Sequence, residues 1–163
     1  MKSTLLLPAI FLSLFALLSA CQNAKKESQS SAAEDQQTIM DQLEKNKEMV
    51  VTFYQELFGN KNLEAIDQYI GDEYIQHNPM APDGKEALKA FLKPWFENVP
   101  KDTVDIQFAG AYDDRVFLHI RTHMGGKEYA VVDMFRIENG KIVEHWDVIQ
   151  EVPENAVSEH PMF

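Results

Sequence analysis

"EYAVVDMFRIENGKIVEHWDVIQ", residues 128–150, is the stretch that decides the fold of this chain. Its two halves are rich in β-branched and aromatic residues, and the Asn139-Gly140 pair between them is typical of a two-residue hairpin turn. The first half is mostly apolar on both faces, which predicts a strand covered on both sides, yet Asp133 lies in its middle. Because a buried carboxylate without partners is costly, Asp133 must be paired, solvated in a cavity, or hold its proton unusually tightly.

The rest of the pattern predicts an α+β protein, in which helices come first and an antiparallel meander of strands follows. In the first hundred residues, segments with apolar residues at helical spacing are separated by residues typical of turns. After them, apolar and polar residues alternate with a period of two, which indicates strands. The predicted elements are helices over 35–58, 62–70 and 84–99, an extended segment over 72–84, and strands over 103–112, 115–124, 128–137 and 141–150. Three helices packed against one curled sheet would leave a pocket between them.

The hairpin turn at Asn139-Gly140 sets the register of the last two strands. Counting outward from a two-residue turn places Phe135 opposite Glu144 and Asp133 opposite Trp146. Directly opposed residues share a face of the sheet, so Asp133 and Trp146 are expected to be neighbours.

The preceding hairpin allows two registers. A two-residue loop at Gly125-Gly126 would place His119 opposite Val132, whereas a three-residue loop over 125–127 would place His119 opposite Asp133. We prefer the second register, because it gathers the polar residues on one face of the sheet. The opposite, outward face would then carry Val116, Leu118, Ile120, Val132 and Met134.

In this register, Asp133 lies between His119 and Trp146 in the pocket. A carboxylate beside a histidine in apolar surroundings suits a general base that works near neutral pH. An aromatic wall suits a planar or hydrophobic ligand. The other neighbours expected there are Phe117, Arg121 and Phe135.

A zinc site is not predicted, although His119 and His123 have a spacing that suits zinc on a helix. On a strand their Cα atoms would be about 13 Å apart, because each residue advances the chain by about 3.3 Å. Zinc–nitrogen bonds of about 2.0–2.1 Å cannot span that distance.

The N-terminus predicts a lipid anchor. Lys2 is followed by an apolar run over 5–18, too short for a comfortable membrane span, and "LLSAC" ends it at Cys21, the only cysteine. This resembles a bacterial lipoprotein signal, with cleavage after residue 20 and a lipid on Cys21. Residues 22–35 contain no large apolar side chain and predict a flexible tether.

The predicted organisation is therefore a signal peptide over 1–20, a lipidated Cys21 with tether over 21–35, a domain over 36–152 and a tail over 153–163. The protein is expected to be exported and held in the cell envelope, at the outer membrane or the periplasmic side if the host has two membranes. Loss of Lys2 with the signal changes the formal charge from −11 to −12. Such an acidic body argues against nucleic acid and anionic lipid heads as partners.

"YIQHNP" (residues 74–79), "VVDMFRIENGKIVEHWDVIQ" (residues 131–150) and the three leading helices resemble the SnoaL-like polyketide cyclase family. The resemblance covers residues 36–152. It implies the cone-shaped fold shared with nuclear transport factor 2, with three N-terminal helices packed on a curved antiparallel sheet around an internal pocket. It also implies chemistry without a metal or cofactor.

The resemblance further implies roles for single residues. Founding members catalyse an intramolecular aldol cyclisation, in which an aspartate removes a C–H proton and a histidine helps to hold the enolate. Asp133 matches that aspartate and His119 matches that histidine, while His77 and Asn78 would line the pocket from the helical side. The Asp–Arg–Asp arrangement of limonene epoxide hydrolase is not predicted, because Asp147 alternates to the other face of its strand.

Three kinds of function stay open at this point. The first is a cofactor-free acid–base enzyme that carries out an aldol, isomerase or dehydratase reaction on a small hydrophobic carbonyl compound. The second is a lipid-anchored module that binds such a molecule without turnover. The third is an interaction protein that forms a homodimer through the outward sheet face.

Overall fold

The computed structural model describes the backbone of residues 9–163 and the side chains of residues 31–163. The start of the predicted signal peptide and the side chain of Cys21 lie outside the described residues. The chain divides into two compact units, residues 1–41 and 42–163, and the fold and site below belong to the second unit. Within the described part of the chain, no helix is both long and apolar enough to cross a membrane.

The described residues form three α-helices. Helix α1 spans Ala9–Tyr54 and continues into a π-helical turn over Gln55–Gly59, while α2 spans Glu64–Tyr69 and α3 spans Lys85–Phe96. Residues 22–35, which the composition predicts to be a flexible tether, are helical in the structure and belong to α1. Asn62 precedes α2, and its Oδ1 accepts the backbone N–H of Glu64 at 3.1 Å, as a helix cap does.

Five strands form one curved sheet in the order β1-β5-β4-β3-β2. The strands are β1 (Ile70–Gln76), β2 (Asp105–Tyr112), β3 (Arg115–Met124), β4 (Lys127–Glu138) and β5 (Lys141–Glu151). The predicted antiparallel meander is confirmed for β2 to β5, while β1, which was not predicted as a strand, pairs with β5 in parallel and makes the sheet mixed. The prolines of the extended segment, Pro79 and Pro82, follow Gln76 and therefore leave β1 free to form backbone hydrogen bonds.

The hairpin between β3 and β4 has the two-residue loop, and the predicted three-residue loop is wrong. Met124 pairs with Lys127, so His119 pairs with Val132 rather than with Asp133. The loop residues Gly125 and Gly126 have φ values of 59° and 82°. Two consecutive residues with positive φ are what a tight type I′ turn requires, and adjacent glycines adopt them at little cost.

The hairpin between β4 and β5 begins as predicted and then shifts by one residue. Ile137 pairs with Ile142, but Arg136 pairs with Glu144, so Val143 is an extra residue that bulges out of β5. Asp133 consequently pairs with Asp147 and not with Trp146. Because the extra residue shifts the register by one, every residue of β5 beyond Val143 lies on the opposite sheet face from the one given by counting outward from the turn.

Together these two shifts reverse the predicted faces of the sheet. Val116, Leu118 and Ile120, predicted to point outward, are almost completely buried on the face that also carries Asp133. The predicted dimer face is therefore largely hydrophobic core. The core comprises Val50, Phe53, Leu57, Ala65, Ile66, Ile70, Tyr74, Leu88, Leu92, Val116, Leu118, Ile120, Val131, Phe135, Ile137 and Ile142.

Candidate active site

A cavity of about 920 Å³ lies between the helices and the inner face of the sheet. Its wall is mainly aromatic and aliphatic, and several of the apolar side chains that line it, such as Met80, Trp95 and Val99, are also exposed to solvent. Polar side chains are the smaller part of its lining, which suits a hydrophobic ligand. Seven of them lie on or near the inner face of the sheet around Asp133, namely Tyr54, Tyr74, Gln76, Asn78, Asp133, His145 and Asp147, while others such as Lys61, Asp102 and Arg121 line the cavity elsewhere.

Asp133 is the acidic group at the centre of this cluster. Its side chain is almost completely buried on β4, and its Oδ1 lies 2.8 Å from Nε2 of His145. Its Oδ2 is buried and has no close hydrogen-bond partner among the described residues, and the hydroxyl of Tyr54 on α1 also interacts with this carboxylate. A buried carboxylate oxygen without a close donor lacks a hydrogen bond that a ligand could supply, so this atom is the one that a ligand proton would satisfy.

His145 holds Asp133 from the neighbouring strand. The residue is buried, and its ring stacks on Phe135 with 4.7 Å between ring centroids. Its Nδ1 lies 2.8 Å from Oε1 of Gln76, so both ring nitrogens are engaged in hydrogen bonds. The bulge at Val143 places this histidine in the cavity, since it turns His145 to the face of Asp133.

Asp147 is the second carboxylate of the cluster and is held by the segment that follows β1. Asn78 Nδ2 donates to Asp147 Oδ2 at 2.5 Å, while Asn78 Oδ1 accepts the backbone N–H of Met80 at 2.7 Å. The backbone contact fixes which end of the amide faces Asp147. Asn78 therefore presents an N–H donor to Asp147.

Two tyrosine hydroxyls complete the polar lining and stay protonated. Burial raises the pKa of Tyr54 well above its usual value, and the negative charge of Asp133 and a side-chain hydrogen bond to that carboxylate raise the pKa further. Burial, followed by the charges of Asp133 and Asp147, also raises the pKa of Tyr74. Both phenols are therefore available as hydrogen-bond donors throughout the ordinary pH range.

The donor set of the cluster resembles that of a metal site in composition. One ligand atom from each of Asp133, His145 and Asp147 can be chosen so that all lie within 4.8 Å of one another. A tetrahedral zinc ion with bonds of about 2.0–2.1 Å would hold its ligand atoms about 3.3 Å apart. The 2.8 Å separation of Asp133 Oδ1 and His145 Nε2 is instead the length of a hydrogen bond.

Only some of the residues predicted from the sequence meet in this cavity. Asp133, Asn78 and Phe135 line it as predicted. Arg121 also contributes to the lining, but its side chain is exposed and pairs with Glu128 rather than with Asp133. The predicted partner His119 lies on the opposite face of β3 from the cavity, where its ring stacks on Phe163 at 5.6 Å.

Three further predicted residues are absent from the cavity lining. Phe117 and Trp146 are on the outer face of the sheet, next to Met134. His77 stacks on Trp146, with 4.5 Å between the ring centroids and 4° between the planes, and its Nε2 lies 2.8 Å from Glu144. The corrected register explains the outward positions of Phe117 and Trp146, because the two-residue loop sets the face of Phe117 and the bulge at Val143 sets the faces of Glu144, His145 and Trp146.

The residues that sequence reasoning missed are Tyr54, Tyr74, Gln76, His145 and Asp147. The alternation of Tyr74, Gln76 and Asn78 along "YIQHN" is a signal that could have found two of them, once that segment is read as a strand. The signal for His145 and Asp147 is weaker. Their spacing in "EHWD" is correct for one face, but only the bulge determines which face that is.

The helices, the mixed curved sheet and the enclosed polar cluster define a cone-shaped α+β protein of the nuclear transport factor 2-like class. A family model described as the SnoaL-like domain matches residues 50–145. The chain therefore belongs to the SnoaL-like family. A comparison with curated proteins gave no significant match.

Solved structures of similar fold come from several bacteria. A proposed polyketide cyclase from Acidithiobacillus ferrooxidans is 22% identical over 64% of this chain and 87% of its own, with a TM-score of 0.55. A nuclear transport factor 2-like protein of unknown function from Burkholderia xenovorans is 16% identical over 70% and 89%, with a TM-score of 0.57. A proposed ketosteroid isomerase from Kribbella flavida is 12% identical over 71% and 85%, with a TM-score of 0.55. At these identities the likeness establishes the fold alone.

Proposed function

We propose that this protein is a cofactor-free acid–base enzyme that acts on a small hydrophobic carbonyl compound, with Asp133 as its general base. One observation carries the proposal. Asp133 Oδ2 is buried without a close hydrogen-bond partner among the described residues, in a mostly apolar cavity, while Oδ1 is held by His145 at 2.8 Å. A carboxylate oriented through one oxygen and free at the other can remove an acidic C–H proton from a bound substrate.

The chemistry of the lining supports the same reaction class. When a proton leaves the carbon next to a carbonyl group, negative charge develops on the carbonyl oxygen and requires a donor. Tyr54 and Tyr74 are protonated hydroxyls in the cavity lining and supply such donors. Aldol cyclisation, isomerisation and dehydration all share this enolate step, and proteins described as a cyclase and an isomerase share the fold.

The size and surface of the cavity support a hydrophobic substrate. Its volume of about 920 Å³ lies at the upper end of the range of about 300–1,000 Å³ that is usual for small-molecule sites. Phe91, Trp95 and Phe96 on α3 and Phe53 on α1 form much of the wall. Planar rings of this kind contact the faces of conjugated or cyclic carbonyl compounds favourably.

Proton exchange at carbon tests the proposal, because all three reactions begin with the same loss of an α-proton. The full chain, purified in mild detergent, is incubated in D₂O with a panel of cyclic ketones and β-diketones, and the loss of each α-proton signal is followed by NMR. We expect saturable exchange well above the buffer rate for at least one compound. The variant His119→Gln is the matched control, because this histidine lies on the opposite sheet face and its loss should leave the rate unchanged.

Binding without proton exchange would contradict the proposal. If compounds bind in the cavity, as shown by quenching of Trp95 fluorescence, and yet none exchanges its α-protons, the enzyme proposal fails. The protein would then be a binding module that uses the same pocket without turnover.

We also propose that the domain is attached to the cell envelope through a lipid on Cys21. Support comes from "LLSAC" at the end of the apolar run, which resembles a lipoprotein signal. In a bacterial host, the wild-type chain is expected in the membrane fraction with fatty acid on Cys21, as measured by mass spectrometry. The variant Cys21→Ser should move most of the protein out of that fraction. Equal membrane retention of both chains would contradict the anchor.

A further inference from the structure

The side-chain amide of Gln76 has only one possible orientation. Its Oε1 lies 2.9 Å from the backbone nitrogen of Asn78, and a backbone N–H can only donate. The atom that faces it must therefore be the amide oxygen, so the backbone contact decides the orientation of the amide. The nitrogen end of the amide is consistent with this orientation, because Nε2 then donates to the hydroxyl oxygen of Tyr74 at 3.1 Å.

This orientation fixes a proton on His145. Nδ1 of the imidazole lies 2.8 Å from the same Gln76 Oε1. An amide oxygen has lone pairs and no hydrogen, so the nitrogen must be the donor of this hydrogen bond. His145 consequently carries a hydrogen on Nδ1 in any protonation state that keeps the contact.

A second proton must then lie on the other side of the ring. Nε2 is 2.8 Å from Asp133 Oδ1. If His145 were neutral with its hydrogen on Nδ1 and Asp133 were ionised, two lone pairs would face each other at hydrogen-bond distance. The buried pair therefore holds one proton between Nε2 and Oδ1, in addition to the hydrogen on Nδ1.

The charges around the pair favour the imidazolium form of His145. Among the described residues, His145 is the only basic group in an ion pair with Asp133, and the carboxylate of Asp147 adds a second negative charge close by. Tyr54 on α1 and Tyr74 on β1 also face the cluster, and both are neutral. A buried carboxylate whose only basic partner is a histidine is stabilised most when that histidine is charged.

We propose that Gln76 is a positioning residue that sets the protonation of His145, so that the resting site is an imidazolium–carboxylate pair with Oδ2 of Asp133 as its free base. The inference rests on the proposed function only for the role of Oδ2. In that step the substrate C–H bond breaks and an O–H bond forms on Oδ2. The electron pair stays on the substrate as an enolate, and Asp133 returns the proton when the product forms.

The arrangement also explains why Asp133 remains a base while it is paired. His145 donates its proton to Oδ1 only, so the charge of the carboxylate is balanced without blocking Oδ2. If Gln76 presented its NH₂ group to Nδ1 instead, His145 would carry its single hydrogen on Nε2 and remain neutral. The buried carboxylate of Asp133 would then lack a cationic partner, which is costly in an apolar site.

Nitrogen NMR on the full chain tests this inference without a substrate. With ¹⁵N-labelled histidine in mild detergent containing EDTA, wild-type His145 is expected to show protons on both ring nitrogens at neutral pH. Gln76→Glu keeps an acceptor oxygen of the same size and should retain both protons. Gln76→Met removes the acceptor, and we expect His145 to bind its extra proton at least about ten-fold more weakly.

Two results would overturn the inference. One is a wild-type His145 that lacks a proton on either ring nitrogen at neutral pH, and a bare Nδ1 would show in addition that the amide of Gln76 has the opposite orientation. The other is a Gln76→Met chain that is folded but has unchanged His145 signals, which would remove any positioning role. A pair confirmed by NMR with no exchange of any carbonyl compound would instead refute only the proposed function.

Discussion

Replacing Asp133 with asparagine is expected to lower the rate of substrate proton exchange by about 10²–10⁴-fold, the usual contribution of a positioned general base. Asparagine has the same shape, and its Oδ1 can still accept a proton from His145 Nε2. Its amide nitrogen replaces the free Oδ2, however, and cannot accept a proton from carbon. Ligand affinity should change much less than the rate, because the apolar wall makes most of the contacts with the ligand.

The measurement is the α-proton exchange rate in D₂O for the best compound of the panel, at saturating and at limiting concentration. Asp114→Asn is the control, since this aspartate is partly exposed and pairs with Arg115 at the far end of β3. Both variants should unfold at a denaturant concentration close to that of the wild type. An Asp133→Asn chain that exchanges within about three-fold of wild type would assign the base to another group, with Asp147 as the next candidate.

Local chemistry explains why much of the fold could be predicted from the sequence. The predicted strand over 115–124 coincides with β3, and the other strand predictions differ from the observed bounds by one or two residues. The turn at Asn139-Gly140 also forms as predicted, with φ values of 51° and 73°. Each of these features depends on residues next to each other in the chain, so the pattern of side chains is sufficient to indicate them.

The register of the sheet depends on more than local pattern, and there the sequence was insufficient. The predicted loop at Gly125-Gly126 is one residue longer than the observed loop, and the bulge at Val143 was not predicted. Each of these two differences exchanges the faces of a strand. The first error brought His119 into the predicted site, and the second removed His145 and Asp147 from it. A bulge is stabilised by pairing on both sides of β5, and one of those neighbours is β1, about seventy residues earlier.

The pairing of β1 with β5 is a long-range contact of the same kind. No turn joins the two strands, so their register cannot be counted from a hairpin. It nevertheless positions Gln76 and Asn78 against His145 and Asp147, and through them the polar part of the site. The position of Asp133 in the cavity could be predicted because a carboxylate in an apolar strand is unusual by itself, whereas its partners depend on this pairing.

Replacing Leu118 with alanine is expected to destabilise the domain by about 2–5 kcal/mol, the range for removing a large buried aliphatic side chain. Leu118 has no exposed surface and lies beside Asp133 on the inner face of the sheet. Phe117→Ala is the matched control on the adjacent residue, which points to the outer face and is only partly buried. Phe117→Ala should lower the free energy of unfolding by less than Leu118→Ala does, although phenylalanine is the larger side chain. Urea unfolding of the full chain, followed by fluorescence, measures both values.

The three-residue loop would place Leu118 on the outer face of the sheet and Phe117 on the same face as Asp133, so it predicts the reverse order of the two destabilisations. The ranking of these two neighbours therefore tests in solution the register on which the whole site depends.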